Sequence, residues 1–202
     1  MRTLEIKLFK FDELSEDSKK NAIQNYIQKN RRSIQEINCE MFYEDLPFNL
    51  ETKEPLFYNP EFQYSLSYCQ GDGLSFSFQL DVIDYLNKYF PKLKASVKNV
   101  ISEYSSFSAN GNSGRYCYAS SSDIDLYLDA RSYTCLDNIE SVISEVLTHI
   151  ENNYLDICSK LENEGYSAIY EWENDQDYII RNIYSLEESD PIFLNSGEIY
   201  QL

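Results

Sequence analysis

The chain has 202 residues, 43% of them apolar and 15% aromatic, with a formal net charge of −17. That length fits a single domain, and the composition argues against disorder for the bulk of it. No apolar run approaches the ~18 residues a membrane-spanning helix needs.

The acid is unevenly placed. Residues 1–32 carry eight Lys/Arg and five Asp/Glu, residues 33–98 five and ten, and residues 99–202 four and nineteen. A field this one-sided repels nucleic acid and acidic membranes and attracts basic protein surfaces, such as the grooves in which nucleic-acid enzymes hold phosphates. Acid also keeps an ordinary protein soluble, which explains the same numbers.

In chain order, residues 2–11 alternate Leu4, Ile6 and Leu8 with Glu5 and Lys7 and read as a strand, not as the unbroken apolar stretch of a signal peptide. A cytoplasmic location is therefore expected. Ser15 is placed to cap a helix whose first turn holds Glu16 and Asp17 and whose buried stripe is Ala22, Ile23, Tyr26 and Ile27. That helix is expected to end or kink near Asn30-Arg31-Arg32, with a second helical stretch through Ile34, Ile37 and Met41. Residues 44–61 hold Pro47, Pro55 and Pro60 and read as an irregular connection.

Phe62, Tyr64, Leu66 and Tyr68, then Leu74, Phe76, Phe78 and Leu80, alternate with polar residues on either side of Gln70-Gly71-Asp72-Gly73. The pattern predicts a β-hairpin with one apolar and one Ser-rich face, closed by a tight turn. Residues 82–90 and about 92–104 are expected to be helical, and 105–114 a loop. Arg115–Ala119 and Ile124–Leu128 read as two further strands. From Leu136 to Leu161, apolar residues recur at helical spacing, which predicts a helix of about 27 residues, roughly 40 Å long, ended by Gly165. Asn174 and Asp177 have capping-box spacing before another helix, and 192–200 read as a small terminal hairpin. The expected fold is α+β: an antiparallel sheet of about four to five strands with helices packed on one face, one of them long and amphipathic. It divides into a basic N-terminal strand-helix part (1–43), a central hairpin and sheet (62–129) and an acidic helical C-terminal part (134–202).

Two strings resemble known proteins. Lys10-Phe11-Asp12-Glu13-Leu14-Ser15-Glu16-Asp17-Ser18-Lys19-Lys20-Asn21-Ala22-Ile23 is similar to the opening of many small acidic phage and prophage proteins. Tyr64-Ser65-Leu66-Ser67-Tyr68-Cys69-Gln70-Gly71-Asp72-Gly73-Leu74-Ser75-Phe76 resembles their central hairpin, and Phe193-Leu194-Asn195-Ser196-Gly197-Glu198-Ile199-Tyr200 their ending. The clear strings cover about a fifth of the chain. Accessory phage genes of this type include inhibitors of host defence, anti-CRISPR proteins among them, and the resemblance brings no catalytic residues with it.

Candidate chemistry is sparse. Asp123 and Asp125, in Ser121-Ser122-Asp123-Ile124-Asp125-Leu126, have the Asp-x-Asp spacing with which nucleotidyltransferases hold Mg²⁺. Asn112 follows Gly111 where those enzymes have Ser, and no later strand offers a third carboxylate. A solvated edge strand explains both aspartates. Gln70, Gly71, Asp72 and Gly73 are read as turn residues in preference to a metal or phosphate loop. The single histidine, His149, is a boundary residue of the long helix. Cysteines 39, 69, 117, 135 and 158 are odd in number and lack paired spacing, so free thiols and no metal or other cofactor are expected. The basic residues Lys19, Lys20, Lys29, Arg31 and Arg32 form a solvated face, and direct nucleic-acid binding runs against the overall field.

The acidic, aromatic segment near the C-terminus is the expected partner surface: Glu162, Glu164, Glu171, Trp172, Glu173, Asp175 and Asp177, interleaved with Tyr166, Tyr170 and Tyr178. Aromatic side chains supply anchoring area at interfaces, and carboxylates meet Arg and Lys. An acidic helix end with core aromatics explains the same pattern. The expected function is a non-enzymatic, phage-encoded inhibitor. It would dock on a host protein with a basic nucleic-acid-handling surface, a Cas effector or its guide-RNA complex. The alternatives are a phage accessory protein without a defence role and a metal-dependent nucleotidyltransferase built on Asp123 and Asp125.

Overall fold

The computed structural model describes residues 6–110, 116–128, 139–185 and 191–200. The elements are α1 (Glu16–Lys53), β1 (Phe57–Ser65), β2 (Gly73–Leu80), α2 (Val82–Tyr89), α3 (Ala95–Tyr104), β3 (Ser105–Asn110), β4 (Asp123–Leu128), α4 (Ile139–Asn174) and α5 (Gln176–Ser185). The fold is mixed α+β. The chain forms two compact units, one of residues 1–40 with 167–202 and one of residues 41–166.

In the first unit, Ser15 caps α1 as its position predicts: its Oγ accepts from the Ser18 amide at 3.2 Å. Residues 6–10 form no strand. Phe9 makes only a bridge to Phe193, and Phe11–Glu13 is a 3₁₀ turn. The apolar pattern there serves a core in which Phe11, Leu14, Ala22, Ile23 and Tyr26 meet Ile179, Ile183 and Phe193. The terminal hairpin is present, with Leu194 N–H donating to Glu198 O at 2.8 Å and Tyr200 N–H to Ile192 O at 2.7 Å. Its turn needs Gly197, at φ +85°, because a Cβ there would lie 2.2 Å from the Ser18 carbonyl oxygen. Helix α5 is capped by Asp175, not Asn174: Asp175 Oδ1 accepts from the amides of Asp177 (3.0 Å) and Tyr178 (3.1 Å).

Helix α1 does not end near Asn30-Arg31-Arg32. It runs without a break for 38 residues and contains Pro47. Asn30 Nδ2 bonds back to Tyr26 O within the helix, and Arg32 pairs with Glu36 one turn on. An interior proline costs about 3 kcal/mol. Burial of Phe42, Leu46 and Leu50 on the same stretch offsets that, at about 1.5–3 kcal/mol per large side chain.

The second unit is built on the hairpin. β1 and β2 pair antiparallel from Phe57↔Leu80 to Ser65↔Gly73, with an irregularity between Tyr58 and Glu61. β3 and β4 form a second antiparallel pair over six residue pairs, and a single pair, Phe78↔Ala109, joins it to β2. The expected broad sheet is thus two ladders touching at one point. The loop expected at 105–114 is strand at Ser105–Asn110. The strand expected at Arg115–Ala119 is irregular at 116–118 and a 3₁₀ turn at Ala119–Ser121. Ser- and Tyr-rich alternation does not distinguish these states.

The apolar face of the hairpin carries the core. Phe57 stacks on Phe78 at 4.1 Å, and the ring of Tyr154, on α4, lies 4.8 Å from Phe76 and 5.7 Å from Phe78. Tyr154 also receives the Phe76 amide at 3.1 Å and shares a 2.7 Å hydrogen bond with Ser122. The opposite, Ser-rich face is not wholly solvated: Ser75 is fully buried. Helix α4 passes through Gly165, the expected stop. A Cβ there would sit 2.4 Å from Leu66 Cδ1 and 2.8 Å from Phe42 Cε1, so the glycine serves close packing rather than termination.

Candidate functional site

The expected partner surface divides when its residues are placed. Glu171 and Asp177 are exposed, and Tyr170 beside Glu171 is 63% exposed. Asp175 is exposed but its carboxylate caps α5. Trp172 is half-buried. Glu173 is a correction: it is buried, with no hydrogen-bond partner for Oε1 among the described residues, because it falls on the apolar stripe of α4 with Ile169.

In the other unit, Glu164 is paired with Lys53 at 2.9 Å. Glu162 is half-buried, and burial together with the charge of Asp72 raises its pKa above the usual glutamate value. Two of the N-terminal basic residues, Lys19 and Arg32, are likewise paired, with Glu16 and Glu36.

The turn residues are structural, though the turn is not tight. Seven residues, 66–72, connect β1 to β2. Asp72 closes the loop: its Oδ1 accepts from Ser65 Oγ at 2.7 Å and its Oδ2 from the Cys69 amide at 2.6 Å. Gly71 takes φ +103°. Gly73 does not adopt a positive φ. It makes room instead, since a Cβ would lie 2.5 Å from the Cys117 carbonyl oxygen.

Asp123 and Asp125 lie exposed on β4, opposite Asn110 and Ser108. Among the described residues no group of three or more His, Cys, Asp or Glu side chains is placed to hold a metal ion. The four described cysteines, at 39, 69, 117 and 158, form no disulfide.

The densest polar constellation went unread in the sequence. Glu54, directly after α1 and 1% exposed, receives Lys88 Nζ at 2.9 and 3.0 Å, Asn153 Nδ2 at 3.1 Å and the Tyr89 hydroxyl. Burial alone would raise its pKa. The hydrogen bonds from Tyr89, Lys88 and Asn153 outweigh that and hold it below the usual value. Tyr85, on the same helix as Lys88 and Tyr89, has its hydroxyl 2.9 Å from His149 Nδ1. Burial pushes the Tyr85 phenol well above its ordinary value. The Tyr85–His149 pair borders an open groove. There, adjoining hollows of about 470 and 510 Å³ share Phe90, Glu145 and His149.

The available signal for this constellation was a pair of i, i+4 repeats. Tyr85 and Tyr89 share one face of α2, and His149 and Asn153 one face of α4. No known protein family, curated protein or solved structure matches the chain. Among the described residues no helix is long and apolar enough to cross a membrane.

Proposed function

We propose that this protein acts by binding rather than by catalysis, docking acidic surface on a basic, nucleic-acid-handling surface of a host protein and inhibiting it. The observation that carries the reading is the charge: nineteen Asp/Glu against four Lys/Arg over residues 99–202. In the first unit the exposed part of that acid, Glu171 and Asp177, stands with the exposed ring of Tyr170, an aromatic anchor beside carboxylates. The resemblance of the 10–23 and 64–76 strings to phage accessory proteins makes an RNA-guided nuclease, alone or with its guide RNA, the first partner to test.

The test is inhibition of target cleavage by purified Cas effector–guide complexes, with binding followed as ionic strength rises. Charge-led docking weakens with salt. Glu171→Lys with Asp177→Lys should abolish inhibition, since neither carboxylate caps a helix or lies buried. Asp123→Ala with Asp125→Ala should leave it intact. Binding unchanged across the salt range, or inhibition lost only in the Asp123/Asp125 variant, would overturn the reading and favour a nucleotidyltransferase.

A further inference from the structure

The groove beside His149 has two unlike walls. One is apolar and aromatic, made by Tyr89, Phe90, Pro91 and Leu93 after and at the end of α2. The other is a polar stripe on α4, in which Ser144, Glu145, Thr148 and Asn152 follow at helical spacing. The His149 ring joins them, with its centroid 4.8 Å from Tyr89 and 5.2 Å from Phe90. Glu145 is exposed and has no ion pair among the described residues. Lys88 already lies over the Tyr89 ring at 4.6 Å, so the aromatic wall offers Phe90 and His149. With a carboxylate flanked by hydroxyl and amide oxygens on the other side, the groove suits a flat, cationic, multiply donating group.

We infer that the groove receives the guanidinium of an arginine side chain from a partner protein. A guanidinium is planar, weakly hydrated and always charged. It lies against aromatic faces while its N–H groups donate in its own plane. A lysine ammonium offers no flat face, and a carboxylate or phosphate meets Glu145 and the field of a chain at −17. Lys92, at the groove's edge, opposes the bound charge and limits affinity. The inference rests on the basic-partner reading above for the source of the arginine, but the groove's chemistry is testable alone.

His149 is the only histidine, so its ring signals in an NMR spectrum are unambiguous. Nα-acetyl-arginine amide should shift them saturably in the millimolar range, with the lysine counterpart markedly weaker. Glu145→Gln, an exposed change that leaves the fold intact, should weaken the arginine effect about tenfold, as loss of one charge-assisted bond does. Lys92→Gln should strengthen it. A drift that never saturates, equal shifts from arginine and lysine, or an unchanged response in Glu145→Gln would overturn the inference. Against a nuclease partner, Glu145→Gln binding as tightly as the parent would sink the groove and leave the acidic-docking reading standing. A saturable arginine shift with no partner bound by the parent protein would do the reverse.

Discussion

Glu54 and Lys88 form an ion pair in which the acid is sealed from water and the base is not. Nζ lies 2.9 Å from Oε1, and the side chains are 1% and 44% exposed respectively. The carboxylate tolerates burial because Tyr89 and Asn153 also donate to it.

Glu54→Gln should therefore destabilise the protein by about 1–3 kcal/mol at neutral pH, the scale of hydrogen bonds to a charged group. The pH dependence has a definite sign. The folded pKa of Glu54 lies below its ordinary value of 4.5, so its contribution is complete above 4.5 and is lost as pH falls through the lower folded value. Lys88 is raised above its ordinary 10.5 by its bonds to Tyr89 and Glu54, which outweigh its own desolvation, so its share fades as pH rises beyond 10.5. Urea midpoints of parent and variant should differ by a constant amount between those limits and converge outside them. A difference that grew below pH 4 would contradict the assignment.

Gly165 sets two effects against each other. Alanine in a helix interior gains up to about 1 kcal/mol over glycine. Here its Cβ would enter the space of Leu66 and Phe42, both buried, and overpacking of that kind costs about 1–3 kcal/mol. The second term wins, so Gly165→Ala should lower the thermal midpoint, and Gly165→Ala with Leu66→Ala should lose less than the two single changes added. Simple additivity would show that the contact is not the cause.

The sequence made short-range structure legible and left distant contacts hidden. Ser15, Gly197 and the alternation of 74–80 announce a cap, a turn and a strand because each acts within a few residues of itself. Pro47 and Gly165 mislead for the opposite reason. Their local preference says stop, and burial of Leu46 and Leu50, or close approach of Leu66 and Phe42, overrides it. Glu173 reads as surface from sequence because carboxylates usually are, although it shares a helical face with Ile169. Glu54 was unreadable as a site because its partners, Lys88 and Asn153, lie 34 and 99 residues away.

Thiol reactivity should follow burial. Cys158 is buried, and burial pushes its thiol up to about 12. Burial and the charge of Asp72 raise Cys117, while Cys69 is exposed. The thiolate is the reactive form. In a Cys135→Ser background, iodoacetamide at pH 8 followed by peptide mass mapping should label Cys69 first, Cys117 slowly, and Cys39 and Cys158 only after unfolding. Early labelling of Cys158 would mean that α4 opens readily around Tyr154.

Asp72 closes the hairpin loop and does so at the expense of Glu162. Burial, joined by repulsion from Asp72, lifts the Glu162 pKa above 4.5 in the folded state. A raised carboxyl binds its proton more tightly when folded, so its effect on stability is neutral below 4.5 and becomes a penalty as pH rises through the folded value. Glu162→Gln should remove that penalty and stabilise the protein at pH 7, by less than about 1 kcal/mol because water screens a half-exposed site. Asp72→Asn should not imitate it. That change relieves the repulsion but also weakens the bonds to Ser65 Oγ and the Cys69 amide, and the second loss is larger. Thermal midpoints of the two variants at pH 4 and pH 7 separate the effects: Glu162→Gln should gain only at the higher pH, and Asp72→Asn should lose at both. A stabilising Asp72→Asn would mean that repulsion, not loop closure, dominates at this turn.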